Sequence, residues 1–216
     1  MSKIYHKITR DILFENDSLS MKELVRINKK NLSECDLSNI DLSGLNLENA
    51  DLECADLTNT NLDNVNLCDA NLRKTILARS SLIRANLEWA DLYWSDLTKT
   101  NLCEANLYQT NLKRVELKEI FFERVILENT DLKGALINNK EIINFKEIGK
   151  INDKGILRCF LLKDNSFYFM FSQFYFRGTE QELKKEINKY TKDYEYAEIN
   201  EAIEYLKNLS TKYKGE

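Results

Sequence analysis

From residue 32 to residue 137 every fifth position is leucine, broken only by Phe122 and Ile137, which makes 22 consecutive units without an insertion. No single regular element accepts this period. A helix repeats near 3.6 residues and a strand repeats at 2. Leucines five apart would wander around a helix and would alternate between the two faces of a strand. The chain must therefore change direction within every unit, and the repeat dictates the fold before any local propensity does.

The positions around each leucine have separate tasks. Two residues earlier stand small or apolar residues such as Cys35, Ala50, Ala55, Val65, Ala70 and Ala90. In extended backbone, residues two apart point the same way, so this position and the leucine both face inward. Leu52, Leu72, Leu92 and Leu112 are thus expected in one core column. The residue between them faces out, and it is Asp36, Asp41, Asn46, Asp51, Asp56, Asn61, Asn66 or Asn71. Asn and Asp bond nearby backbone and favour turns. The last two residues of each unit must form a corner.

The units NADLE at 49–53, CADLT at 54–58 and EANLY at 104–108 resemble the A(D/N)LXX consensus of the pentapeptide-repeat family over about residues 31–140. The resemblance implies a β fold, a right-handed quadrilateral β-helix with four units per coil. Its about 5–6 coils would rise roughly 26 Å at the spacing of paired strands. The outward Asn/Asp is replaced by Ile76, Ser81, Glu116, Phe121 and Ile126, so those coils are expected to be covered or less regular. The corner residue is Asn, Gly or Asp at most units up to about residue 70, and mostly Lys, Arg, Trp, Glu or Gln from Lys74 to Arg124. Because the latter resist positive φ, the turn type is expected to change there.

A solenoid needs its ends closed. Residues 1–30 form the N-terminal capping segment, with a helix over SMKELVRIN opened by a Ser20/Glu23 capping box. The period of five stops near 140. Residues 141–216 predict a β-β-β-α-α module, with strands in IINFKEIGKI, GILRCFLLK and SFYFMFSQFYF and helices opening at Thr179 and containing Ile199 to Leu209. This module resembles one found after the repeats in some bacterial and phage pentapeptide-repeat proteins. Its third strand, Phe167 to Phe176, is aromatic on both faces. It either packs on its own solenoid or makes a homodimer interface.

Composition narrows the function. There is no apolar leader and no stretch of membrane-spanning length. The five cysteines, at 35, 54, 68, 103 and 159, form no paired motif and are expected as reduced thiols in a cytoplasmic protein. The only histidine is His6, and without clustered ligands no metal or cofactor is expected. Catalysis is not expected either, since there is no phosphate loop, nucleophile motif or histidine base. The abundance of Lys, Ile and Asn hints at an AT-rich bacterial genome.

Two functions remain. One is a non-enzymatic scaffold binding an unidentified macromolecular partner, most simply a protein. The alternative, implied by the resemblance, is a mimic of duplex DNA acting on a type II topoisomerase such as gyrase. Residues 31–72 carry nine acids and no Lys or Arg, whereas 73–137 carry ten bases and nine acids. With twenty residues per coil, Lys74, Trp94 and Arg114 should stack in one column and Arg73, Tyr93, Lys113 and Lys133 beside them, with Trp89 and Tyr108 around the next corner. Each aromatic would lie between cations, with Lys74 and Arg114 near the Trp94 ring. Such a stripe suits an acidic protein or, more weakly, nucleic acid. It also suits plain cross-strand stabilisation.

Overall fold

A computed structural model of the chain describes residues 1–122, 124–137, 139–150, 156–163, 166–171 and 174–178, together with 182, 185, 203, 204 and 208. The chain divides into two compact units, Met1–Asp131 with Ala135–Asn139, and Leu132–Gly134 with Lys140–Glu216.

The first unit is a solenoid. Its outward residues pair in parallel at a spacing of twenty, from Asp36↔Asp56 to Glu116↔Leu136. From Leu32 to Leu117 each central leucine donates its N–H to a carbonyl in the next coil, as Leu92 does to Asn111 at 2.9 Å. Each outward residue donates back to the previous coil, as Asn71 does to Ala50 at 2.9 Å. Both backbone groups of a short edge are thereby satisfied between coils, as buried backbone requires. The pairing continues through Ile76, Ser81, Glu116, Phe121 and Ile126, so the expected irregularity is absent there. Phe121 and Ile126 instead lie exposed in regular positions.

The inward assignment holds. Leu52, Leu72, Leu92 and Leu112 are at most 1% exposed, and Ala50, Ala70 and Ala90 are buried beside them. Where threonine replaces alanine, its hydroxyl reaches the leucine carbonyl of the coil below, as Thr75 does to Leu52 at 2.9 Å. The outward Asn and Asp bond the backbone two residues on. Asp91 Oδ1 accepts the Tyr93 N–H at 3.0 Å.

The expected change of turn type does not occur. The last residue of every unit has positive φ, including Lys74 (+56°), Arg84 (+57°), Trp94 (+60°) and Arg114 (+59°). A bond such as Ala50 N–H to Leu47 O at 2.9 Å closes each corner, and positive φ at its third residue is what a type II turn needs. A side chain in this region costs roughly 1–2 kcal/mol. Leaving the corner would forfeit the inter-coil bonds on both sides, so the ladder overrides residue preference.

At the N-terminus, β1 (Ser2–His6) and β2 (Ile12–Asn16) form an antiparallel hairpin that the sequence reading did not anticipate. β1 also pairs with β3 (Cys35–Asp36), the first edge of the solenoid, through Tyr5↔Asp36 and His6↔Cys35. Helix α1 (Met21–Ile27) has the expected Ser20/Glu23 capping box and buries Leu24 and Val25. The segment is tied to the first coils by Arg10–Asp36 and Lys22–Asp41 ion pairs and by a hydrogen bond between His6 Nε2 and Glu34 at 2.7 Å. The last solenoid edge is β4 (Leu136–Ile137).

The second unit holds an antiparallel meander of β5 (Lys140–Lys150), β6 (Ile156–Leu162), β7 (Phe167–Phe171) and β8 (Phe174–Gly178). The expected single aromatic strand is therefore two, with Phe171 paired to Phe174. The run SFYFMFSQFYF contains no Gly, Pro, Asn or Asp, so the sequence offered no strong signal to divide it. Phe145 and Phe160 stack at 5.7 Å, and Cys159, Phe160 and Leu161 are buried. Most of the two expected helices, and the aromatic side chains proposed for dimer contact, lie outside the described residues.

Candidate binding face

The expected stripe occupies two edges of one solenoid face. Its position follows from the period: residues 88–89 and 93–94 make successive corners, and the flat edge between them carries Asp91 outward. Trp94 lies in the column of Lys74 and Arg114, with Lys74 N–H donating to Tyr93 O at 2.9 Å and Trp94 N–H to Lys113 O at 3.0 Å. Trp89 and Tyr108 meet at the other corner, rings 6.3 Å apart at 80°.

The cations are arranged differently from expectation. Arg73, not Lys74 or Arg114, stands over an aromatic ring, 4.7 Å from the centroid of Tyr93. Its guanidinium also donates to Asp91 Oδ2 at 2.9 Å. Lys113 turns away to Asp131 at 2.8 Å, and Lys74 lies 4.0 Å from Glu53. The Asp91 and Asp131 pairings hold the Arg73 guanidinium and the Lys113 ammonium above their ordinary pKa values. Among the described residues no cation covers Trp94, which packs edge-on against Tyr93 at 6.4 Å and 77°. Lys74 is drawn to Glu53, twenty-one residues before it, and Lys113 to Asp131, eighteen after it, because a carboxylate attracts an ammonium more strongly than a ring face does.

Two tryptophans are left in the open. Trp89 is 52% exposed and Trp94 is 60% exposed, and both have left-handed backbone, at φ +61° and +60°. The acids that neutralise the stripe were missed in the sequence, although the spacing of eighteen between Arg73 and Asp91 was there to be found. Among the described residues no cluster of His, Cys, Asp and Glu could hold a metal, and no helix is long and apolar enough to cross a membrane.

The family model for pentapeptide repeats matches eight copies, over residues 31–67, 60–98, 90–129 and 100–139. The chain belongs to the pentapeptide-repeat family. The solenoid described above is its repeat domain. Among solved structures, this pentapeptide-repeat protein is similar to Rfr23 from the cyanobacterium Cyanothece 51142, at 34% identity over 42% of this chain and 58% of that one, TM-score 0.30. It is similar to a pentapeptide repeat protein of the Arabidopsis thaliana thylakoid lumen, at 26% identity over 46% and 63%, TM-score 0.24. It also matches QnrB1, a plasmid-mediated fluoroquinolone resistance protein, at 15% identity over 46% and 57%, TM-score 0.31. The chain thus spans less than two thirds of each of these three. No curated protein sequence matches it.

Proposed function

We propose that this pentapeptide-repeat protein is a non-enzymatic scaffold that binds a macromolecular partner, most simply a protein, through the face bearing Arg73, Lys74, Trp89, Tyr93, Trp94, Tyr108, Lys113 and Arg114. One observation carries the reading. Trp89 and Trp94 sit in left-handed corners where asparagine or glycine is cheaper, and more than half of each remains exposed. Every corner is left-handed, but at these two a large apolar ring takes the strain with little burial gained to offset it. Tryptophan and arginine are also the residues that most often anchor interfaces. We further propose that the solenoid is a right-handed quadrilateral β-helix, that residues 1–30 cap it, and that the protein works in the cytoplasm, where five free thiols are at home.

The DNA-mimic alternative is implied by the family resemblance, and the acids of residues 31–72 are its only local support. Arg10 and Lys22 pair with two of them, Asp36 and Asp41, which lowers the charge such a mimic would display, so the scaffold reading comes first. Comparing wild type with Trp94→Ala/Arg114→Ala for capture of partners from lysate of the source organism, and of single- and double-stranded nucleic acid, tests it. Loss of a captured protein supports the reading. A variant that keeps every partner sinks it. Inhibition of gyrase supercoiling by wild type would promote the alternative.

A further inference from the structure

The two aromatic corners of the binding face carry opposite electrostatics. Beside the first, the column runs Arg73, Tyr93, Lys113, and Arg73 fills the space over the Tyr93 ring at 4.7 Å. Beside the second, the equivalent column runs Glu88, Tyr108, Glu128. The slot that holds a cation over Tyr93 holds an acid beside Tyr108.

The solenoid side that leads into this corner has the same sign, whereas the side that leaves it carries Arg73, Lys74, Lys113 and Arg114. The stacked units 45–49, 65–69, 85–89, 105–109 and 125–129 contain no Lys or Arg and four acids, Glu48, Asp69, Glu88 and Glu128. The two arginines on the far edge of this side, Arg84 and Arg124, are both taken by Glu104, at 2.7 and 3.6 Å. Among the described residues, no cation stands over Trp89 or Tyr108. Their rings meet at 80°, so they present an open L of two aromatic surfaces. Trp89 N–H donates to Tyr108 O at 3.0 Å, which keeps the two residues in adjacent coils. The Trp89 indole N–H is held by Glu88 at 3.2 Å. Gln109, stacked one coil above Trp89, has an Oε1 without a hydrogen-bond partner.

We propose that Trp89 and Tyr108, flanked by Glu88 and Glu128, form a recognition corner for a cationic side chain, an arginine or lysine on a basic segment of a partner protein. Negative ring faces attract a guanidinium or ammonium, and the adjacent carboxylates supply charge-assisted acceptors. The protein itself shows the occupied form of this arrangement at Arg73 and Tyr93. A second copy of the solenoid's acidic side is excluded as occupant by like charge, and an anionic polymer by the same repulsion.

The inference rests on the solenoid surface being a binding surface, but its test is separate. In a Trp94→Phe background Trp89 is the single tryptophan. Its fluorescence is followed while an N-acetylated, C-amidated tetra-arginine peptide is added at low salt. A saturable change is expected, at least tenfold weaker in Tyr108→Ala and in Glu88→Gln/Glu128→Gln, weakened by salt, and missing with a tetraglutamate peptide. Glu88→Arg should install an internal cation beside Tyr108 and abolish peptide binding while the circular dichroism stays that of wild type. No saturable change, equal binding by the charge-neutralised variant, or undiminished binding by Glu88→Arg overturns the proposal. So does saturable binding of tetramethylammonium chloride without binding of the peptide, which would point to a small cation. Failure here leaves the Trp94/Arg114 capture result standing, and failure of that capture leaves this one standing.

Discussion

The side-chain amide of Asn111 donates to Asp91 Oδ1 at 2.8 Å, one coil below. The same oxygen accepts the N–H of Tyr93, and the other carboxylate oxygen takes Arg73. Asn71 donates likewise to Asp51 at 3.0 Å, so this column alternates an amide donor with a carboxylate acceptor. Asn111→Asp would replace a donor by a second carboxylate in contact with the first. We expect a loss of about 1–3 kcal/mol at neutral pH. The loss should shrink on acidification, because protonating one member of the new pair restores a donor. Urea denaturation of both proteins at pH 7 and pH 4 measures this; an equal loss at both values would contradict it.

Leu92 is 1% exposed in the middle of the leucine column. Leu92→Ala should destabilise by roughly 2–5 kcal/mol, the range for a large core side chain cut to alanine. Chemical denaturation reads this directly. A loss below about 1 kcal/mol would mean that the column collapses freely around the gap.

Trp94 holds φ at +60° with most of its surface in water. Asparagine tolerates that conformation better, so Trp94→Asn should stabilise the solenoid by about 1 kcal/mol. The same change should weaken partner capture. A thermal melt beside the capture assay checks both, and a less stable variant would show that the indole contributes more to packing than its exposure implies.

Glu116 takes an outward position between Asp96 and Leu136, and its Oε1 is buried without a partner. Burial, then the charge of Asp96, pushes its carboxyl above the ordinary range, with Lys118 pulling the other way. A raised folded-state pKa means that the folded chain holds the proton more tightly than the unfolded one. Its contribution is present below the ordinary carboxylate pKa and is lost as pH rises through the folded value. Glu116→Gln should therefore raise the melting temperature at pH 7 and change it little at pH 4. A gain confined to pH 4 would reverse the assignment.

The period of five was sufficient to place the inward column of Leu52 to Leu112 and the outward Asx ladder, and the units NADLE, CADLT and EANLY carried the resemblance to the family. These depend on which residues can be buried and on strict spacing, and both are visible in a string of letters. The Ser20/Glu23 cap was legible for the same reason, being local. The docking of Ser2–His6 on Cys35–Asp36 was not, because it is a contact across about thirty positions that no local pattern announces. The turn type at Lys74, Trp94 and Arg114 was misjudged from residue preference, because bonds to neighbouring coils hold the backbone there against that preference. Stacking brought Arg73, Tyr93 and Trp94 together as the spacing required. Which ring received a cation depended on carboxylates reaching diagonally between coils. Sequence spacing determines which columns meet; only the folded stack decides how side chains within them divide their partners, because each choice depends on charges and bonds in the coils above and below.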